Sequence, residues 1–298
     1  MNELKQLALI GPTASGKTAL AVKLAQKMDA YILSLDSLAI YKEIDIVSAK
    51  PTIEEREGIR HFGIDVLYPN EPFDVTTFAE IYKEALQQCH ANGKDLVIVG
   101  GTSFYLKMLL EGISEIPPLN TETAHKVAQF MVQPDKTYDM LYRHDPVYMN
   151  QIKRGDTYRI QKALEIYLAT GETPSSYFHA HPPRPIITDP LPIYEIVWER
   201  ELLRRRISLR TEIMLNSGLI DEIVMLEKRY TRAPNAMKGI GIKETLAYLD
   251  GAYDRKVLQE KIATNTARLA KRQATFNRSQ FKEVIRGDLQ TLEKMLVQ

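Results

Sequence analysis

Eight residues near the amino terminus constrain this chain more than any others. Gly11-Pro12-Thr13-Ala14-Ser15-Gly16-Lys17-Thr18 fits the pattern G-x-x-x-x-G-K-[ST] at every fixed position. The residue types answer to phosphate. Glycines let backbone N–H groups approach phosphate oxygens, and the start of a following helix adds a favourable dipole. Lys17 brings a positive charge, and the Thr18 hydroxyl is able to bind Mg²⁺. Such a loop has meaning only between a buried strand and a helix, and the neighbouring sequence supplies both. Gln6–Ile10 is a short apolar run, and residues 19–28 carry Leu20, Leu24, Ala25 and Met28 at helical spacing. The loop alone leaves open whose phosphates are bound.

Further strand and helix patterns alternate behind it. Ala30–Leu35 reads as a second strand ending at Asp36, and residues 95–99 as a third, ending at Gly100-Gly101-Thr102. Residues 76–90 place Phe78, Ile81, Tyr82 and Ala85 on one helical face, and residues 104–110 also look helical. This alternation predicts an α/β fold, a P-loop NTPase-like parallel sheet with helices on both faces. Pro117-Pro118 then breaks the pattern. Several helices follow, clearest over residues 159–168, and a proline-rich segment runs from Pro174 to Pro192. Residues 119–190 are therefore expected to form a helical insertion on stiff connectors, with 1–118 and 191–298 as the catalytic core. Residues 193–198 return as a strand. The rest reads as helices over 201–217, 220–230, Ile242–Leu249 and 254–278, a helical C-terminal part.

In an open α/β sheet, ligands bind at the carboxyl ends of the strands, so Asp36 and Thr102 should both face the phosphate loop. A nucleotide hydrolase of this class usually ends its third strand in a metal-holding aspartate; here no acidic residue follows Val99. Asp36 could be a metal ligand, a general base or a helix N-cap. Arg210 lies between Ile207 and Met214 on the apolar stripe of its helix, which also carries Leu203. A charge there either snorkels to the edge, pairs with a carboxylate, or reaches an anionic ligand whose oxygens suit a guanidinium fork.

Charge is uneven. Residues 199–298 hold 20 Lys+Arg against 13 Asp+Glu, a net +7, whereas the whole chain carries +1. A basic C-terminal third points to a polyanion or to solvated helix faces. The single cysteine, Cys89, excludes an intrachain disulfide and any multi-cysteine metal site, and fits a reducing cytoplasm. The apolar run Leu7–Ile10 is too short for a signal peptide or a membrane span, so neither is expected.

Taken in order, these blocks resemble the tRNA dimethylallyltransferase family. Gly11–Thr18 matches that family's phosphate loop throughout. Asp36, Ser37, Tyr41, Lys42, Asp45, Ile46, Ala49, Lys50 and Pro51 match a second block, with Val47 for its glycine and Ser48 for its threonine. His61 with Ile64-Asp65, then Gly100-Gly101-Thr102 with Tyr105, resemble two more. Asp156, Arg159, Ala163, Leu164 and Glu165 match a helix in the insertion, with Lys162 for arginine. Arg206-Ile207 with Arg210, and Ala270-Lys271-Arg272-Gln273 with Thr275, complete the series. Phe276, Ala267 and Ile242 depart from the family's tryptophan, arginine and tyrosine. The resemblance spans residues 5 to 280.

The resemblance implies a monomeric enzyme that moves a dimethylallyl group from dimethylallyl diphosphate to N6 of the adenosine immediately 3′ of a tRNA anticodon, releasing pyrophosphate. It implies that Gly11 through Thr18 (Gly11, Pro12, Thr13, Ala14, Ser15, Gly16, Lys17, Thr18) and Arg210 hold the diphosphate, with Mg²⁺ on Thr18. Asp36, Lys17, Thr102 and Arg210 would be catalytic, Asp36 taking the amine proton. Asp36, Ser37, Leu38, Ala39, Thr102, His125, Arg159, Ile160, Gln161, Lys162, Lys271 and Arg272 would contact tRNA, with the target base unstacked into the pocket. Three other readings stand beside it. A small-molecule kinase would leave the insertion and the basic third unexplained. A prenyltransferase of free adenine nucleotides would share the catalytic residues but not the RNA-directed blocks. A nucleotide-gated binding protein would hydrolyse NTP slowly, and the missing acid after Val99 argues against it.

Overall fold

The structure is a computed structural model and describes residues 4–114 and 116–297. It comprises two compact units, Met1–Leu109 with Ile187–Gln298, and Leu110–Ile186.

The first unit is built on six parallel strands: β1 (Gln6–Ile10), β2 (Ala30–Leu35), β3 (His61–Phe62), β4 (Asp95–Gly100), β5 (Ile193–Ile196) and β6 (Ile285–Gly287). Their order across the sheet is β3-β2-β4-β1-β5-β6. Both faces are covered. Leu7, Leu9, Ile32, Val97, Val99 and Ile196 cluster with Leu20, Ala21 and Leu24 of α1 (Lys17–Met28) and Leu292 of α13 (Leu289–Val297). The alternate residues Ala8, Ile10, Leu33, Leu96 and Ile98 are equally buried. On that opposite face the Tyr82 hydroxyl of α2 (Val75–Asn92) donates to Gln6 Oε1 at 2.9 Å. Burial on both sides explains why the strands read as continuous apolar runs rather than as alternation. Asp74 starts α2 by accepting the Thr77 amide at 2.9 Å. α3 (Ser103–Glu111) follows β4.

Past β5 and before β6, the unit is helical: α9 (Arg200–Asn216), α10 (Leu219–Tyr230), α11 (Ile242–Leu249) and the long α12 (Arg255–Gln280), which packs along α9. The strands β3 and β6 and helix α13 were not expected from sequence. For the two strands, two or three residues are too few for a periodic signal.

The second unit contains α4 (Thr121–Met131), α5 (Pro134–His144), α6 (Pro146–Met149), α7 (Thr157–Thr170) and α8 (Pro174–Ala180). Val127, Tyr138, Leu141, Met149, Ile160 and Leu164 form its core. Its bounds lie outside the expected 119–190 at the start and inside them at the end. Ile113 bridges antiparallel to Arg184, and Gly112 lies so close to the Arg184 backbone that a Cβ would sit 2.2 Å from it. The two connectors are thereby tied to each other. The first unit closes behind them, with the Ile187 amide donating to the Leu109 carbonyl at 2.9 Å.

Candidate active site

The phosphate loop joins β1 to α1. Gly16 caps the helix in the left-handed region (φ 90°) with no side chain capping it, so the first-turn amides are not taken by a local acceptor. Ala14 is also left-handed, at φ 62°. Lys17 curls back, its Nζ donating to the Pro12 carbonyl at 3.0 Å. Burial, and next the nearby Arg210 cation, push its pKa down to about 8, against a smaller upward pull from Asp36.

Arg210 on α9 closes the loop's other side. Its Nη1 donates to Thr13 Oγ1 at 3.3 Å and its Nη2 to the Ser48 carbonyl at 3.4 Å. Burial lowers its pKa and Asp36 offsets part of that. The buried stripe of α9 is Ile207, Thr211 and Leu215, with Leu203 and Met214 only partly covered. Arg210 therefore flanks the stripe and reaches the loop, with no carboxylate bonded to it among the described residues.

Asp36 and Thr102 come together because β2 and β4 are neighbours. Leu35 pairs with Gly100, and Asp36 and Thr102 follow one and two residues later. The approach demands glycine: a Cβ on Gly100 would lie 2.6 Å from the Leu35 carbonyl oxygen. The Thr102 amide donates to the Leu35 carbonyl at 3.0 Å. Asp36 Oδ1 accepts the amides of Leu38 (2.8 Å) and Ala39 (3.1 Å), an Asx-type turn that fixes the carboxylate. Its Oδ2 accepts no hydrogen bond from a described residue. No helix starts at Asp36, so its carboxylate caps a turn and not a helix; one oxygen shapes that turn and the other stays available for the base reading.

Three cavities meet these residues. One of about 560 Å³ is bordered by Asp36, Thr102, Thr13 and Arg210, with Leu38, Val47, Met214 and Ile240 among its apolar walls. A second, of about 530 Å³, is bordered by Gly16, Lys17, Thr18, Arg206 and Arg210. A third of about 60 Å³ lies among Thr18, Ser34, Asp36 and His61. Arg210 borders all three.

The remaining expected residues divide. Ser37 and Leu38 border the largest of these cavities, whereas Ala39 is buried and borders the smallest. Arg272 borders the 560 Å³ cavity, but its neighbour Lys271 borders a separate groove with Arg200, Arg204 and Arg268. In the second unit, His125 and Arg159 are exposed, and Arg159 pairs with Asp156 at 3.4 Å. The buried Glu165 accepts from Gln161 and Lys162, both at 2.8 Å. Ile160 corrects an expectation. It is wholly buried in that unit's core, so its side chain packs and is not available to RNA.

Three contributors were given no role at this site from sequence, although Lys50 and Gln273 fall in blocks that resemble the family. Gln273 on α12 accepts the Thr13 amide at 3.0 Å. Lys50 is buried and donates to Asp45 and Asp65, both at 2.6 Å, and to the Tyr41 carbonyl at 2.8 Å. Glu222 accepts three successive amides, Asp45, Ile46 and Val47, at 3.0, 2.6 and 3.0 Å. Lys50 and Glu222 hold the loop that presents Ser48 to Arg210.

The model of the IPP transferase family matches residues 39–280. A tRNA dimethylallyltransferase of Sulfurovum sp. is 62% identical over 299 residues, covering 100% of this chain and 99% of its own. Among solved structures, the full-length tRNA isopentenylpyrophosphate transferase of Bacillus halodurans aligns with a TM-score of 0.71 at 30% identity, over 99% of this chain and 95% of that one. A eukaryotic dimethylallyltransferase acting on tRNA aligns with a TM-score of 0.82 at 26% identity, over 96% and 75%. No helix among the described residues is long and apolar enough to cross a membrane.

Proposed function

The chain belongs to the IPP transferase family, and from that premise we propose that it transfers a dimethylallyl group from dimethylallyl diphosphate to N6 of the adenosine immediately 3′ of a tRNA anticodon. The observation that carries this reading is the pairing of a phosphate loop with a carboxylate across one cavity. Asp36 and Arg210 border the same 560 Å³ space, and the Gly16–Thr18 edge of the loop opens beyond Arg210. The amine nitrogen attacks the prenyl carbon as the bond to diphosphate breaks. Its proton passes to Asp36 Oδ2, held ready by the two amides on Oδ1. Lys17 and Arg210 bear the charge that grows on the departing pyrophosphate. The Thr102 hydroxyl, at the same mouth, orients the base. No acid at the end of β4 is required, because no water is activated.

Oxygen donors near the loop fit Mg²⁺. The Thr18 hydroxyl and the Asp36 carboxylate border the 60 Å³ cavity. No group of three or more His, Cys, Asp or Glu residues able to hold a metal occurs among the described residues. That suits an ion held by few protein oxygens together with substrate phosphates and water. Bound there, the ion would neutralise diphosphate charge, with Thr18 as its protein ligand.

Labelled dimethylallyl diphosphate, offered with Mg²⁺ to unmodified tRNA and, in parallel, to AMP, tests the reading. Label in tRNA alone is expected. Label in AMP would make the acceptor a free nucleotide, and ATP consumption without label in either would remove prenyl transfer altogether.

A further inference from the structure

The shape of the phosphate loop is fixed by more than the loop's own contacts, in which the Pro12 carbonyl accepts the Ser15 amide at 3.3 Å and Lys17 Nζ at 3.0 Å. Ala14 is held at φ 62°, where a residue with a Cβ persists only if its surroundings fix it. Two side chains from the chain's return after the insertion grip this turn. Trp198, just past β5, donates its indole N–H to the Ser15 carbonyl at 3.0 Å. Arg206, on α9, donates Nε–H to the Ala14 carbonyl at 2.8 Å. The two are joined to each other, since the Arg206 guanidinium lies 4.7 Å from the Trp198 ring centroid. No carboxylate is bonded to Arg206 among the described residues. Its charge therefore goes to a carbonyl and a ring.

We propose that Trp198 and Arg206 are positioning residues of the phosphate loop, holding the Ala14 and Ser15 carbonyls so that the loop's amides stay turned toward the diphosphate. A trans peptide unit points its C=O and the following N–H in opposite directions. Fixing the Ser15 carbonyl on the indole therefore fixes the Gly16 amide on the other side of that peptide plane. Fixing the Ala14 carbonyl holds the left-handed turn that precedes it. Gly16 leads directly into α1, whose first-turn amides lack a side-chain cap. The grip is thus on the outside of an anion cradle whose inside belongs to substrate. Arg206 also borders the 530 Å³ cavity with Lys17 and Thr18, so it stands at the cradle's open edge.

This inference deepens the proposed function and rests on the loop binding a diphosphate, so the test reads binding without chemistry. Trp198 is the chain's only tryptophan, and its emission reports directly on the gripped peptide. Magnesium pyrophosphate is titrated into wild type and the Arg206→Gln and Arg206→Lys variants by fluorescence, and into these and Trp198→Phe by calorimetry. Trp198→Phe keeps an aromatic ring, though a smaller one, and loses one neutral hydrogen bond, and should weaken binding about fivefold with no dependence on salt. Arg206→Lys keeps the charge but loses the planar fork and the stack, and should weaken it about as much as Arg206→Gln does. The Trp198→Phe/Arg206→Lys double variant should lose less than the product, because both act on adjoining peptide units. KM for dimethylallyl diphosphate should rise in step, while kcat, KM for tRNA and the melting temperature stay close to wild type. Arg206 is exposed, so its variants remain informative if Trp198→Phe does not fold. Pyrophosphate affinity within twofold of wild type in the Arg206 variants would overturn the proposal. So would an Arg206→Lys variant indistinguishable from wild type beside an impaired Arg206→Gln, since charge alone would then suffice. Wild type that binds pyrophosphate but prenylates neither acceptor would sink the proposed function and leave this inference standing.

Discussion

Diphosphate binding should take up a proton, and the amount follows from Lys17. Its pKa of about 8 in the ligand-free protein arises first from burial and then from the Arg210 cation. At pH 8 about half the molecules therefore lack the ammonium charge, and at pH 9 about nine in ten. A diphosphate in the loop places anionic oxygens beside Nζ and returns the group to its protonated form. The sign follows directly. The bound state holds more protons than the free state, so affinity falls as pH rises through 8. Expected uptake is about 0.1 proton at pH 7, about 0.5 at pH 8 and about 0.9 at pH 9. Between pH 8 and 9 the affinity should fall about fivefold, and the Lys17 contribution should be flat below pH 7. The ester's own phosphate, with an ordinary second pKa of about 6, is already ionised over that range. Calorimetry of dimethylallyl diphosphate binding in two buffers of different ionisation enthalpy reads the uptake, and Lys17→Met serves as the control that should show none. Absence of uptake in the wild type at pH 8.5, or equal uptake in Lys17→Met, would refute the assignment of this proton to Lys17.

Asp36→Asn keeps an oxygen for the Leu38 and Ala39 amides but cannot take a proton; the rate of transfer should fall about 10²- to 10⁴-fold in single-turnover assays while pyrophosphate still binds. The same change removes a charge that raises the Lys17 pKa, so the midpoint of proton uptake should move below pH 8. Arg210→Ala should weaken diphosphate binding about tenfold to a hundredfold, read by pyrophosphate inhibition, and should shift the Lys17 midpoint upward. Lys50→Met should lower stability by about 2 kcal/mol in urea unfolding: the ammonium is buried, but Asp45 and Asp65 are 63% and 40% exposed and can return to water. A loss under about 0.5 kcal/mol would mean that the Lys50 contacts contribute little.

The site was legible where its chemistry is contiguous or follows from strand order. Gly11–Thr18 is one unbroken segment, and parallel strands deliver their carboxyl ends to one edge, which is why Asp36 and Thr102 could be placed together before the sheet was known. Gln273 was not, because a neutral amide 260 residues from Thr13 carries no local signal. The apolar stripe expected on α9, Leu203, Ile207 and Met214, is buried only at Ile207; the covered face runs through Leu215 and, a polar residue in a core position, Thr211. Its hydroxyl donates to the Ile207 carbonyl at 2.9 Å within the same helix, which removes the cost of burying it. The core of the second unit hid Ile160 for the opposite reason. It lies inside the block that resembles an RNA-contacting helix, and periodicity on α7 alone assigns it to the covered side.

The electrostatics of the loop are consistent with the proposed diphosphate. Lys17 and Arg210 are neighbouring cations, each lowered in pKa by burial, with Asp36 pulling both back up. Asp36 is pinned by amides at Oδ1 rather than turned fully onto either, and Glu55 pulls on Arg210 more weakly than Asp36 does. Neither cation is hydrogen-bonded to a carboxylate among the described residues, so both positive charges are incompletely paired in a partly desolvated place, which is costly until an anion arrives. A ligand with several negative charges relieves both cations at once and leaves the Asp36 carboxylate facing the opposite reactant. A neutral ligand, or the base alone, would relieve neither. Under the proposed function, the two cations that burial and, next, mutual repulsion disfavour would be the groups that take up the growing charge of pyrophosphate as the prenyl bond breaks.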